Sequence, residues 1–157
     1  MGAELPELLI REAREDDIPA IVELYAVDTL GDHGDTTEAG ALPDYLRAFK
    51  RIAKSPNDSL YVAELDGEVV GVFQTTLITS ITGRGSTNLT VEAIQTRSDM
   101  RGQGVGGAMM GFAVERGREA GARMVQLTSN KARADAHRFY ERLGFVESHA
   151  GFKLKLR

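Results

Sequence analysis

Arg101-Gly102-Gln103-Gly104-Val105-Gly106-Gly107 is the stretch whose reading decides the fold. Four of the six positions from 102 to 107 are glycine, and apolar residues follow at helical spacing: Val105, Ala108, Met109, Phe112 and Ala113. Ahead of it, residues 88–97 (Asn-Leu-Thr-Val-Glu-Ala-Ile-Gln-Thr-Arg) read as a strand. Glycines let a ligand approach the backbone, and the first N–H groups of a helix have no intrahelical partner. With the helix dipole they form an anion site suited to a phosphate or pyrophosphate. Arg101 adds a positive charge at the rim. Glycines placed only for turning would not need to be so dense at a strand-to-helix junction.

Three phosphate-loop readings compete. A P-loop needs Gly-Lys-Ser/Thr after its glycines, and that is missing. A dinucleotide fingerprint is formally satisfied by Gly102, Gly104 and Gly107, but it asks for an acidic residue at the end of the next strand. That strand ends in Thr128-Ser129-Asn130, and one late β-α-β unit is too little for a dinucleotide-binding domain. The third reading is a coenzyme A pyrophosphate loop, Arg/Gln-x-x-Gly-x-Gly/Ala, matched by Arg101, Gly104 and Gly106.

Outward from the loop, the helix it opens spans about 104–119. A strand at 123–129, a helix at 133–143 and one or two final strands follow, with Gly121 and Gly144 at expected helix ends. Toward the N-terminus, strands at 60–65 and 68–78 flank Asp66-Gly67, a two-residue hairpin turn. Residues 83–87 form another turn. Leu8-Leu9-Ile10 reads as a first strand, and Asp16 or Asp17 caps a helix carrying Ile18, Ile21, Val22, Leu24 and Tyr25 on one face. A polar loop at 31–40 leads to a helix over 43–54, with Leu46, Phe49 and Ile52 facing a core. The layout is mixed α/β: early hairpins, then one β-α-β unit.

With 157 residues and no internal repeat or linker, one domain over 1–157 is expected. Net charge is −4 with both signs dispersed, which gives no basic patch for nucleic acid. There is no cysteine, so disulfides, thiolate metal sites and a thiol nucleophile are excluded. No apolar run approaches a membrane span. Residues 1–6 lack the regions of a signal peptide, and Pro6 stands where a myristoylation signal wants Ser or Thr. A cytoplasmic location is the expectation.

With these segments in place, the chain resembles the GNAT superfamily of acetyltransferases over nearly its whole length. Tyr61 through Gly71 looks like the family's second and third strands. Val91 through Gly107 looks like its fourth strand and pyrophosphate loop, and Phe139-Tyr140-Glu141-Arg142-Leu143-Gly144-Phe145 like its closing helix and turn. The resemblance implies a mixed, mostly antiparallel central sheet with helices on both faces, and an N-acetyltransferase using acetyl-coenzyme A. It implies that the backbone of Ile94, Gln95 and Thr96 lines the pantetheine arm. Arg101, Gly102, Gln103, Gly104, Val105, Gly106 and Gly107 would hold the pyrophosphate. The family often has Asn seven residues before the helix Tyr; Arg133 stands there, so Asn130 is carried over in its place. Residues 130–149 look closest to aminoalkylphosphonate N-acetyltransferases, which implies a small amine with an anionic group as acceptor. Arg84 and Arg97 are candidate partners for such an anion. A protein or peptide amine, and a non-catalytic acyl-CoA-binding regulatory module, remain alternatives. No metal site is expected, and a homodimer stays open.

Transfer from a thioester to an amine needs a neutral amine, a polarised carbonyl and a protonated or stabilised thiolate. Tyr140 can donate the last proton, although Ala136, Tyr140 and Leu143 also share the spacing of a packing face. Glu92 lies in an otherwise uncharged strand on the face of Thr90 and Ile94. An apolar face there would desolvate it, either as an ion-pair partner or as a base acting through water. Backbone N–H groups near 94–96 would polarise the carbonyl. Asp32, His33 and Asp35 could hold a cation but fit a solvated loop as well. His137 and Arg138 read as an exposed helix face, His149 lies near a strand end, and Met109 and Met110 read as core filling.

Overall fold

The computed structural model describes residues 7–28 and 33–157. These separate into two units, one running to Leu127 and one spanning Thr128–Arg157. In the first unit, β1 (Leu9–Glu12) is followed by a 3-10 turn at Glu15–Asp17 and α1 (Ile18–Ala26). A second 3-10 turn at Ala39–Ala41 leads into α2 (Leu42–Lys54), then β2 (Asp58–Leu65) and β3 (Glu68–Thr79). The one-turn α3 (Thr82–Gly85), β4 (Thr87–Thr96), α4 (Val105–Glu119) and β5 (Met124–Gln126) complete it.

The five strands form one sheet in sequence order, antiparallel from β1 to β4 and parallel between β4 and β5. Asp66 and Gly67 both take positive φ (51° and 80°), the turn that suits a two-residue hairpin. Strand alternation divides the core between two faces. Val62 and Val72, both fully buried, pack with Ile18, Ile21, Val22 and Leu24 of α1, and Leu46 and Phe49 of α2 close over them. On the other face Tyr61 stacks on Phe73 at 5.1 Å, and Phe112 of α4 meets Tyr61 edge-on at 5.0 Å. Met109 and Met110 are buried, as core filling requires. Helices thus cover both faces, as the resemblance implies.

Two glycines set how closely α4 lies on the sheet. A Cβ on Gly71 of β3 would stand 2.8 Å from Met109 Sδ, and one on Gly117 of α4 would stand 3.2 Å from Val125 Cγ2.

Several expectations need correction. Asp17 does not cap α1; it sits in the preceding 3-10 turn and reaches back. Its carboxylate accepts two bonds from Arg11 (2.7 and 2.9 Å) and one from the Arg14 N–H (2.6 Å). The Arg11 pair outcompetes the cap because it joins β1 to the turn with a charge-assisted fork. Arg11 holds the Asp17 carboxyl below the usual carboxylate range. Strand β5 covers Met124–Gln126, shorter than 123–129, because the register with β4 runs only through Asn88–Thr90.

The second unit contains α5 (Ala134–Arg142), and Gly144 ends it with φ 95°. The expected final strands do not form. Residues 145–157 are neither helix nor strand, and Phe152, Leu154 and Leu156 are at least 86% exposed. Their alternation is that of a strand, but a strand also needs a backbone partner, and Thr128–Arg157 supplies none.

Candidate functional site

The loop ahead of α4 has the geometry its glycines suggest. Gly102 and Gly104 take φ of 76° and 90°, values that favour residues without a Cβ. No side chain caps α4, and its first internal bond runs from the Ala108 N–H to the Gly104 carbonyl, 3.0 Å. The N–H groups of Val105, Gly106 and Gly107 therefore lead the helix with no partner in the turn. Val105 itself sends its side chain into the core (1% exposed), so it can offer a ligand its backbone only. Arg101 is exposed, and Gln103 donates through Nε2 to the Asp99 carbonyl at 3.2 Å. Exposed glycines, aligned N–H groups and an adjacent guanidinium fit a pyrophosphate.

Strand β4 breaks its register before this loop. Gln74 pairs with Glu92 and Val72 with Gln95, so Ala93 and Ile94 both fall opposite Phe73. The bulge places Ala93 at φ 53°, a conformation that costs a residue with a Cβ about 1–2 kcal/mol. The Tyr25 hydroxyl of α1 donates to the Ala93 carbonyl at 2.8 Å. Around it, Tyr45 donates to Asp35 Oδ1 at 2.8 Å, and the Thr36 N–H donates to the Tyr45 oxygen at 3.1 Å. Burial, helped by the Asp35 charge, pushes the Tyr25 phenol above its ordinary value, so it remains a donor at neutral pH. Spacing had marked Tyr25 only as a packing residue. No local pattern could show that its hydroxyl meets a carbonyl 68 positions later.

Ile94, Gln95 and Thr96 continue β4 from the bulge, half-buried. Glu92 is exposed, so the desolvation expected of its strand face is absent; the bulge turns the backbone just where a buried face would have continued. Arg97 is committed elsewhere: it pairs with Asp99 at 2.7 Å and Glu68 at 3.0 Å. Arg84 is exposed on the α3 turn at φ 63°. His33 is exposed, Asp35 is engaged by Tyr45, and Asp32 lies outside the described residues. Among the described residues no group of three or more His, Cys, Asp or Glu could hold a metal. A surface cavity of about 280 Å³ lies toward the far end of α4, between Arg116, Glu119 and Pro56, and includes none of residues 101–107.

In the second unit, Tyr140 is half-buried between Phe139 (ring centroids 5.3 Å apart) and Phe145 (6.0 Å). Burial raises its phenol above the ordinary value, opposed by the Arg133 charge. Asn130 spends its side-chain oxygen on the Ala132 N–H, 2.9 Å, shaping the turn into α5. His137, half-buried rather than on the exposed face expected of it, meets the Asn130 carbonyl at 3.0 Å, while Arg138 pairs with Asp135. His149 contacts Ser148 at 2.6 Å in the segment without strands.

An uncapped glycine-rich helix start thus follows a bulged strand of a mostly antiparallel sheet. The profile of the Acetyltransferase (GNAT) family matches residues 18–145, and the chain belongs to that family. Two curated relatives that it matches are N-acetyltransferases by name. An aminoalkylphosphonate N-acetyltransferase of Salmonella typhimurium is 47% identical over 53 residues, 34% of each chain. An uncharacterised N-acetyltransferase of Methanocaldococcus jannaschii is 33% identical over 101 residues, 63% of this chain and 44% of that one. The chain thus spans under half the length of the curated relatives it matches. A crystal structure described as a transcriptional regulator from Bacillus halodurans C-125 is 42% identical, with a TM-score of 0.91, covering 96% of this chain and 100% of that one.

Proposed function

We propose that the chain, as one GNAT-like domain over residues 1–157 in the cytoplasm, transfers the acetyl group of acetyl-coenzyme A to a primary amine. The observation that carries this reading is the uncapped start of α4, with left-handed Gly104 before the partnerless N–H groups of Val105, Gly106 and Gly107. Arg101, Gly102 and Gln103 complete the pyrophosphate cradle. The backbone of Ile94, Gln95 and Thr96 lines the pantetheine arm and receives the charge on the carbonyl oxygen. Glu92 takes the amine proton through a water, a role its exposure permits. Tyr140, a phenol protonated at neutral pH, gives its proton to the departing thiolate. Asn130 is carried over as a contact at the pantetheine. Transfer is direct, since no cysteine is present to form an acyl-enzyme.

The acceptor in this reading is a small amine with an anionic group, supported by the 53-residue similarity to the aminoalkylphosphonate enzyme. Arg97 is neutralised by its two carboxylates, which leaves Arg84 as the better candidate for that anion. A second reading, a non-catalytic acyl-CoA-binding regulator, is favoured by the description of the 42% identical structure.

Thermal melts with coenzyme A, NADH and ATP test the ligand. Coenzyme A at 100 times its dissociation constant should stabilise the fold by about 2.7 kcal/mol, and the other two by much less. Equal stabilisation by NADH would reinstate the dinucleotide fingerprint. Thiol release across a panel of aminophosphonates, amino sugars and peptides then tests transfer. Coenzyme A binding without thiol release from any amine would favour the regulator.

A further inference from the structure

We infer that Tyr25 is a positioning residue for acetyl transfer: its phenol fixes the bulged Ala93–Ile94 peptide, and so aims the β4 backbone that receives the acetyl carbonyl. The inference rests on the transferase reading above and extends it to a residue outside the cofactor loop and the proton-transfer groups.

Three observations carry it. The bulge holds an alanine in the left-handed region, which costs a residue with a Cβ, so a contact from outside β4 helps to maintain it. The contact suited to that is the 2.8 Å bond from Tyr25 to the Ala93 carbonyl, reaching across from α1. A trans peptide is planar, so holding the Ala93 carbonyl also sets the direction of the Ile94 N–H in the same plane. Ile94 is where the backbone proposed to line the thioester begins. Beside Tyr25, the Asp35–Tyr45–Thr36 group ties residues 35 and 36 to α2.

Tyr25 lies on the buried side of α1 beside Leu24 and Ile21, so a simple packing role is the competing explanation. Tyr25→Phe separates the two, because it keeps the ring and removes only the donor. With the phenol gone, kcat should fall about 10- to 100-fold, less than the 10²–10³ lost with a direct oxyanion donor. The KM for acetyl-coenzyme A should stay within about twofold, since the α4 cradle is untouched. The NMR chemical shifts of the Ala93 backbone should move away from left-handed values, a readout that needs no activity. Adding Ala93→Gly should recover much of the lost kcat, because glycine holds positive φ without help.

Unchanged Ala93 shifts or an unchanged kcat in a folded Tyr25→Phe variant would overturn the inference while leaving the transferase intact. Failure of the double variant to recover any activity would return Tyr25 to packing. If Tyr25→Phe does not fold, 4-fluorophenylalanine at the same position fills the space of the phenol oxygen without a donor, and should lower kcat at constant KM. A full kcat there would also overturn it. Wild-type protein that releases no thiol with any amine would instead overturn the transferase reading, and this role with it.

Discussion

The glycine loop at 101–107 and the bulge at Ala93–Ile94 lie within fifteen residues of each other, yet they are built by opposite means. The loop is local: its special dihedrals fall on glycines, and its uncapped N–H groups are consecutive at the start of α4. The bulge is assembled at a distance, with an alanine forced to positive φ and a tyrosine from α1 closing on its carbonyl. A binding element can be written into a few adjacent residues because backbone groups recur at every position. Orienting a reacting carbonyl takes a side chain delivered by a separate element, and therefore the whole fold.

The comparison can be broken most decisively at Tyr140. Tyr140→Phe should lower turnover by roughly 10²–10⁴ with little change in melting temperature. A wild-type rate in the folded variant would mean that backbone placement alone supplies the chemistry and that Tyr140 is an aromatic of the α5 face. Next in size is Glu92→Gln, expected to slow transfer by about 10²-fold below neutral pH, at the lower end of acid–base effects. The loss should shrink as pH rises and free amine becomes available. A uniform loss across the pH–rate profile would argue for a structural carboxylate.

Stability effects come after these. Asp17 fastens β1 to the turn before α1, and so supports the helix that delivers Tyr25. Asp17→Asn removes the charge from a bidentate pair with Arg11 and should cost about 1.5–3 kcal/mol at pH 7 in urea denaturation. The carboxyl titrates lower folded than unfolded, so its contribution is full above its unfolded value and is lost as pH falls through the folded one. The gap between wild type and variant should therefore close as pH falls through and below the ordinary carboxylate range. A gap that persisted into strong acid would show that the ion pair is not its source. The smallest effect sharpens the loop side. Gly104→Ala meets no atom within 4 Å, so its cost is φ strain alone, about 1–2 kcal/mol, accompanied by weaker coenzyme A binding in calorimetry.

What could be read from the sequence follows the same division. The β2–β3 hairpin, α2, α4 and the glycine loop depend on short-range signals: Asp-Gly at a turn, apolar spacing, glycines at a junction. Asp17 was misread as a cap because Arg11 is six residues back on a strand, and residue-by-residue rules weigh the nearest N–H groups first. Glu92 was expected on a desolvated face because alternation extrapolates through a bulge that nothing in Val-Glu-Ala-Ile announces. Residues 151–157 alternate as a strand should, but alternation describes side chains and says nothing about who pairs with the backbone. Whether Tyr140 and Glu92 act together is a question for kinetics, since spacing along a chain carries no distance between its parts.

The two glycines beneath and within α4 have a mechanical consequence. Gly71 lies under Met109 and Val105 near the front of the helix, and Gly117 lies over Val125 and Leu89 toward its rear. The helix is a lever resting on two points where atoms are missing, and its front tip is the turn that would meet the pyrophosphate. A single methyl at position 71 would press on the flexible end of Met109 and on Val105, whereas one at 117 would press on Val125 and Leu89. A substitution at either position would look like a conservative core change, yet it would act on the helix whose first turn the glycine loop opens.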